Sequence, residues 1–158
     1  MIKELELALK TSIAVGLTLT LGKLLKIDSL FYAGIAAAIC SQIETKETVK
    51  AGIGRIYGTI VGAILGVSCF YFFPRNIISM TIGVFVIVYT SYKYLKTAQA
   101  NIASIVFLGI MLEIKPNETP IFYFFYRVID TSLGVVIAIF VSKKNCVISD
   151  CMIYYYIL

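Results

Sequence analysis

Two arginines set in apolar surroundings carry the chemistry this sequence offers. Arg55 opens the stretch RIYGTIVG (55–62) and Arg127 opens RVIDTSLG (127–134). Both follow R-[IV]-x-x-T-x-x-G, 72 positions apart. On a helix, positions i, i+4 and i+7 share a face. Arg55, Thr59 and Gly62 therefore line one side, as do Arg127, Thr131 and Gly134. A charge deep in a bilayer costs about 2.5–3.5 kcal/mol on insertion scales, so it must meet water, a partner or a ligand. A guanidinium matches a carboxylate through paired donors, which an ammonium cannot do. Arg55, Thr59, Arg127 and Thr131 are thus candidates for binding a small organic anion. Asp130 is the one carboxylate deep in an apolar run, and intramembrane acids serve proton relays, so it is the proton-coupling candidate. A purely structural alternative stands beside this. Asp130 lies three residues from Arg127 and can neutralise it within one helix, and Arg55 can reach Glu44 or Glu47 at a membrane edge.

Other chemistry is poorly represented. The chain has no histidine, which excludes histidine-based catalysis. Its cysteines (Cys40, Cys69, Cys146 and Cys151) form no C-x-x-C pair and read as small packing residues rather than metal ligands. No catalytic, metal or cofactor constellation emerges, so an enzyme is not expected and no cofactor is implied.

The elements that must position these groups follow from composition. Of 158 residues, 59% are hydrophobic and 15% charged, and the mean hydropathy is +0.91. Soluble domains are about 45–50% apolar and about 25% charged. A spanning helix needs about 20 apolar residues. Apolar runs occupy 8–25, 27–43, 51–73, 76–92, 97–112 and 119–142. The expected fold is an all-α membrane protein, a bundle of about six transmembrane helices over residues 1–144. The second and fifth runs are the weakest and read equally as spans or as short buried or re-entrant segments. A β-barrel would require alternating segments, which are missing. Turns are expected at Lys26–Ser29, at Pro74-Arg75-Asn76 and at Lys115-Pro116-Asn117-Glu118. The net charge of +5 is spread in short clusters between runs and suggests membrane orientation rather than nucleic acid. Lys3, Lys10, Lys46, Lys50, Lys93, Lys96, Lys143 and Lys144 fall on one side, against Lys23, Lys26, Arg75 and Lys115 on the other. That asymmetry places both termini in the cytoplasm.

The paired motifs divide the bundle into two three-helix halves, and an odd count inverts the second. Inverted repeats are common in secondary transporters, whose binding sites lie at the repeat interface. Gly54, Gly58, Gly62 and Gly66 form a ladder that admits another helix closely, within the chain or between copies. Phe70–Phe73 and Phe122–Tyr126 resemble an interfacial aromatic belt.

The segment FYAGIAAAICSQ (31–42) and the two arginine-bearing helices resemble the fusaric-acid-resistance-like superfamily, in particular its aromatic acid exporter branch. The resemblance covers residues 1–144 and is carried by Arg55, Gly58, Thr59, Gly62, Arg127, Asp130, Thr131 and Gly134. It implies a six-helix domain in the cell membrane that exports aromatic or other small organic anions by proton-coupled efflux. A six-helix unit of this kind is expected to need a second copy, so a homo-oligomer is implied. The alternative is a non-transporting membrane anchor or scaffold that oligomerises through the glycine ladder, or a truncated, inactive exporter fragment. Residues 145–158 are expected to form an irregular tail, shortened relative to the family.

Overall fold

A computed structural model describes residues 2–25, 30–94, 97–114 and 119–157. Among them the chain is helical: α1 (Ile2–Leu24), α2 (Leu30–Cys40), α3 (Thr45–Phe72), α4 (Ile77–Tyr94), α5 (Thr97–Glu113) and α6 (Pro120–Ile157), with no strand among the described residues. Glu4–Leu24, Thr45–Phe72 and Pro120–Lys144 are long and apolar enough to cross a membrane. Leu30–Cys40, Ile77–Lys93 and Gln99–Glu113 are apolar but shorter. The second run yields only 11 helical residues, about 16 Å at 1.5 Å per residue. The Pro74-Arg75 break between α3 and α4 falls where expected. The turns expected at Lys26–Ser29 and Lys115–Glu118, Lys96, and the side chains of Cys146 and Cys151 lie outside the described residues.

The C-terminal stretch corrects one expectation. Helix α6 runs on to Ile157 instead of giving way to an irregular tail at 145. No glycine or proline follows Gly134, so nothing in the sequence stops the helix.

Large apolar side chains cover the outside. Ile77, Ile78, Phe72 and Phe85 are exposed, which a water-soluble monomer avoids and a bilayer rewards. Hydroxyls within the helices turn back on their own turns: Thr18 donates to Ala14 O, Ser68 to Ile64 O, Thr81 to Ile77 O and Ser104 to Ala100 O. This satisfies a donor where no water competes.

The chain forms two compact units, Met1–Ile53 with Asp130–Leu158, and Gly54–Ile129. The first contains α1, α2, the start of α3 and most of α6. Its core joins Ala14, Ala37, Ile137 and Val141. A Cβ at Gly134 would meet Ala33 O, lie 2.8 Å from Ala36 Cβ and 3.0 Å from Ala37 N. The alanines of α2 thus let α6 approach its backbone directly. At the step between α2 and α3, side chains hold the backbone. Lys10 Nζ donates to Ile43 O at 3.0 Å and pairs with Glu6 at 2.7 Å, while Gln42 N donates to Thr48 Oγ1 at 3.1 Å. Thr45 and Thr48 also bond Ser142 on α6.

The second unit contains the rest of α3, α4, α5 and the first ten residues of α6 (120–129). Here the glycine ladder meets α5. A Cβ at Gly58 would lie 2.9 Å from Gln99 O, at Gly62 2.7 Å from Ala103 Cα, and at Gly66 2.8 Å from Ile110 Cδ1. The ladder is therefore a helix contact within the chain. Two apolar clusters flank it, one around Ala63, Val106 and Ile110, the other around Ile87, Ala103, Phe107 and Met111.

Candidate functional site

Arg127 is seven residues inside α6, and its guanidinium meets a carboxylate from another helix. That partner is Glu113, the last residue of α5. Arg127 Nη2 lies 2.6 Å from Glu113 Oε2, and Tyr123 Oη donates to the same oxygen at 2.6 Å. Arg127 also bonds Tyr123 Oη directly, and its Cζ stands 4.3 Å over the Tyr123 ring. Tyr123 and Arg127 are one helical turn apart, so a single helix face presents both the cation and the phenol. The burial is unequal: the Arg127 side chain is 6% exposed and that of Glu113 is 50% exposed. A buried cation is thus paired with a half-exposed carboxylate.

The end of α5 is braced by a second arginine. Arg75 Nε donates to Met111 O at 3.0 Å, Nη2 reaches Ile114 O, and the guanidinium lies over Phe70. Met111 O lies in the last turn of α5 and Ile114 O just beyond its end, positions where a basic side chain commonly satisfies carbonyls.

The other sequence candidates divide between the units. Arg55 and Thr59 are buried on α3 in the second unit, where Thr59 Oγ1 donates its only proton to Arg55 O at 2.9 Å. Asp130 and Thr131 are buried on α6 in the first. Gly54, Gly58, Gly62 and Gly66 serve the α3–α5 contact and Gly134 the α2–α6 contact. The structure thus joins Arg127 to two residues that sequence reasoning passed over. Glu113 read as the end of a run, and Tyr123 as one member of an aromatic belt. The usable signal was charge pairing across a turn, since Glu113 and Arg127 flank the short link between α5 and α6. Of the other belt residues on α6, Phe122, Phe125 and Tyr126 are exposed, while Phe124 packs against the cluster around Ala63, Val106 and Ile110.

Beside these polar groups the second unit holds an apolar cavity of about 360 Å³ between α3, α4 and α5. Leu65, Phe72, Ile82, Val86 and Phe107 line it, and no charged side chain is among its lining. It can accept an apolar ring, and Ser68 and Ser79 are the hydroxyl-bearing residues in its lining.

A buried guanidinium with a phenol donor on an apolar helix is suited to holding a carboxylate. The sequence agrees with that chemistry: residues 6–144 match the family model described as aromatic acid exporter family member 1. The chain belongs to this aromatic acid exporter family. No curated protein and no solved structure matches it. Membership makes this an aromatic acid exporter-type membrane protein.

Proposed function

We propose that this protein is a multi-pass exporter of aromatic or other small organic anions in the cell membrane, with Arg127 as the principal anion-binding group. The observation that carries the reading is a buried arginine, on an apolar helix of an aromatic acid exporter family chain, already engaged with a carboxylate. Six helices cross the membrane wholly or in part, with both termini cytoplasmic. Two inverted three-helix repeats are supported by parallel packing. The motif glycine of α3, Gly62, meets the second helix of the later half, and that of α6, Gly134, meets the second helix of the earlier half. Arg55, Thr59 and Thr131 remain candidates for substrate contact, and Asp130 for proton coupling. Thr59 would first have to release its bond to Arg55 O. A homo-oligomer completes the proposal.

The test is efflux of a panel of aromatic acids from a strain lacking related exporters. Wild-type protein is expected to lower intracellular acid, and Arg127→Ala to abolish this while remaining in the membrane. Unchanged efflux by the variant would remove Arg127 from the mechanism, and absence of efflux by the wild type would remove the function.

A second reading, a non-transporting membrane module, is favoured by the same Arg127–Glu113 pair, since neutralising a buried cation is all that a structural role requires. It predicts that Arg127→Ala changes stability alone. Oligomerisation through the glycine ladder fits poorly, because α5 fills that face.

A further inference from the structure

We infer that the cavity between α3, α4 and α5 is a binding site for an uncharged aromatic molecule of the phenol class, separate from Arg127. The inference goes beyond the exporter reading, because this site needs no anion and no arginine.

The cavity follows from how two helices are patterned. Leu65, Cys69 and Phe72 stand at i, i+4 and i+7 on α3, and Ser79, Gly83 and Val86 keep the same spacing on α4. One face of each helix therefore forms a wall. Ile87 of α4 and Phe107 of α5, both almost fully buried, close the floor. Gly83 leaves a notch through which the tip of the Phe107 ring reaches the α4 backbone: a Cβ there would stand 3.0 Å from Cε1 and 3.1 Å from Cε2. Folded interiors leave few voids larger than a water molecule. This one measures about 360 Å³. An apolar cavity of about 150 Å³ accepts benzene, so there is room here for a fused pair of rings.

The lining decides which molecule fits. No charged side chain is among it, so an anion would be desolvated without a partner. Phe72, Phe73 and Phe107 offer rings that an aromatic guest can meet edge to face, a preference that a hydrocarbon chain does not share. A flexible chain also loses more conformational freedom on binding than a rigid ring. Ser68 returns its proton to Ile64 O, but among the described residues the Ser79 hydroxyl has no hydrogen-bond partner. That hydroxyl can pair with a phenolic O–H as donor or acceptor. A plain hydrocarbon would leave it unused.

The experiment follows thermal unfolding of the full chain in detergent micelles with β-naphthol, naphthalene, β-naphthoate or decanol added. A molecule that binds only the folded state raises the melting temperature. β-Naphthol is expected to raise it most, naphthalene less, and decanol not at all. Ser79→Ala weakens β-naphthol about fivefold, the loss of one net hydrogen bond, and leaves naphthalene unchanged. Val86→Phe, which fills the cavity, removes both shifts. Any shift produced by β-naphthoate is the same in both variants as in the wild type. No β-naphthol shift in the wild type, a shift that survives both variants, or an equal shift with decanol overturns the site. Each of these results leaves the efflux test of the exporter reading standing, and absence of efflux leaves β-naphthol binding standing, so the two fail separately.

Discussion

Gly62 on α3 and Ala103 on α5 bring two helix backbones into direct contact. A single Cβ at position 62 would stand 2.7 Å from Ala103 Cα. Backbone at that distance cannot yield as a flexible side chain would. Lipid supplies no hydrophobic force between helices, so close packing of this kind is what holds them.

Gly62→Val is therefore expected to destabilise the second unit by about 1–3 kcal/mol, the usual range for overpacking. Thermal unfolding in detergent measures it. Gly16→Ala is the control, since nothing lies within 4 Å of a Cβ there. Equal melting temperatures for the two variants would show that the ladder does not bear on stability.

Gly83 and Phe107 test packing in a way that can be rescued. A Cβ at Gly83 would meet the Phe107 ring, including Cε1 at 3.0 Å, and Phe107 is almost fully buried. Gly83→Ala should lower the melting temperature, Phe107→Leu should do so by cavity formation, and the double variant should recover part of the loss. Simple additivity in the cycle would contradict the contact.

Arg75 caps the end of α5. With Arg75→Ala, the Met111 and Ile114 carbonyls lose their donor. Amide exchange at residues 110–114 is expected to accelerate by about tenfold, corresponding to one net hydrogen bond of about 1–1.5 kcal/mol. Exchange in α1 should not change. An unaltered α5 would mean that water replaces the guanidinium at no cost.

In the proposed exporter, Asp130 is the candidate for proton coupling. Asp130→Asn is expected to abolish the dependence of efflux on the proton gradient while the protein still binds benzoate. Gradient-driven efflux that persists in inverted vesicles of this variant would reassign coupling elsewhere.

The existence and order of the helices could be read from the sequence because long apolar runs broken by proline and lysine leave the backbone few options in lipid. The ends were less legible. The second run includes Ser41 and Gln42, but the helix stops at Cys40, where Thr48 and Lys10 offer the chain other bonds. At the other extreme α6 continues because no residue breaks it. The glycine ladder announced a close contact, but its partner depended on tertiary placement: Gln99, Ile102 and Ala103 face it only once α5 is docked. The same holds for Arg127. Sequence spacing offered Asp130, three residues away, and the structure adds a bond to Glu113, 14 positions earlier and across a turn. Helical spacing reports neighbours along one helix and is silent about those contributed by another.

The step between α2 and α3 has a mechanical consequence. Helical carbonyls are locked by the amides of their own coil, but those of 42 and 43 are held by side chains, Thr48 and Lys10. A joint fastened by side chains can trade partners without unwinding either helix, so this step is the first unit's natural elbow. Lys10→Met should loosen amides 42–45 while α1 and α2 stay protected, and protection there equal to wild type would mean that the elbow is welded.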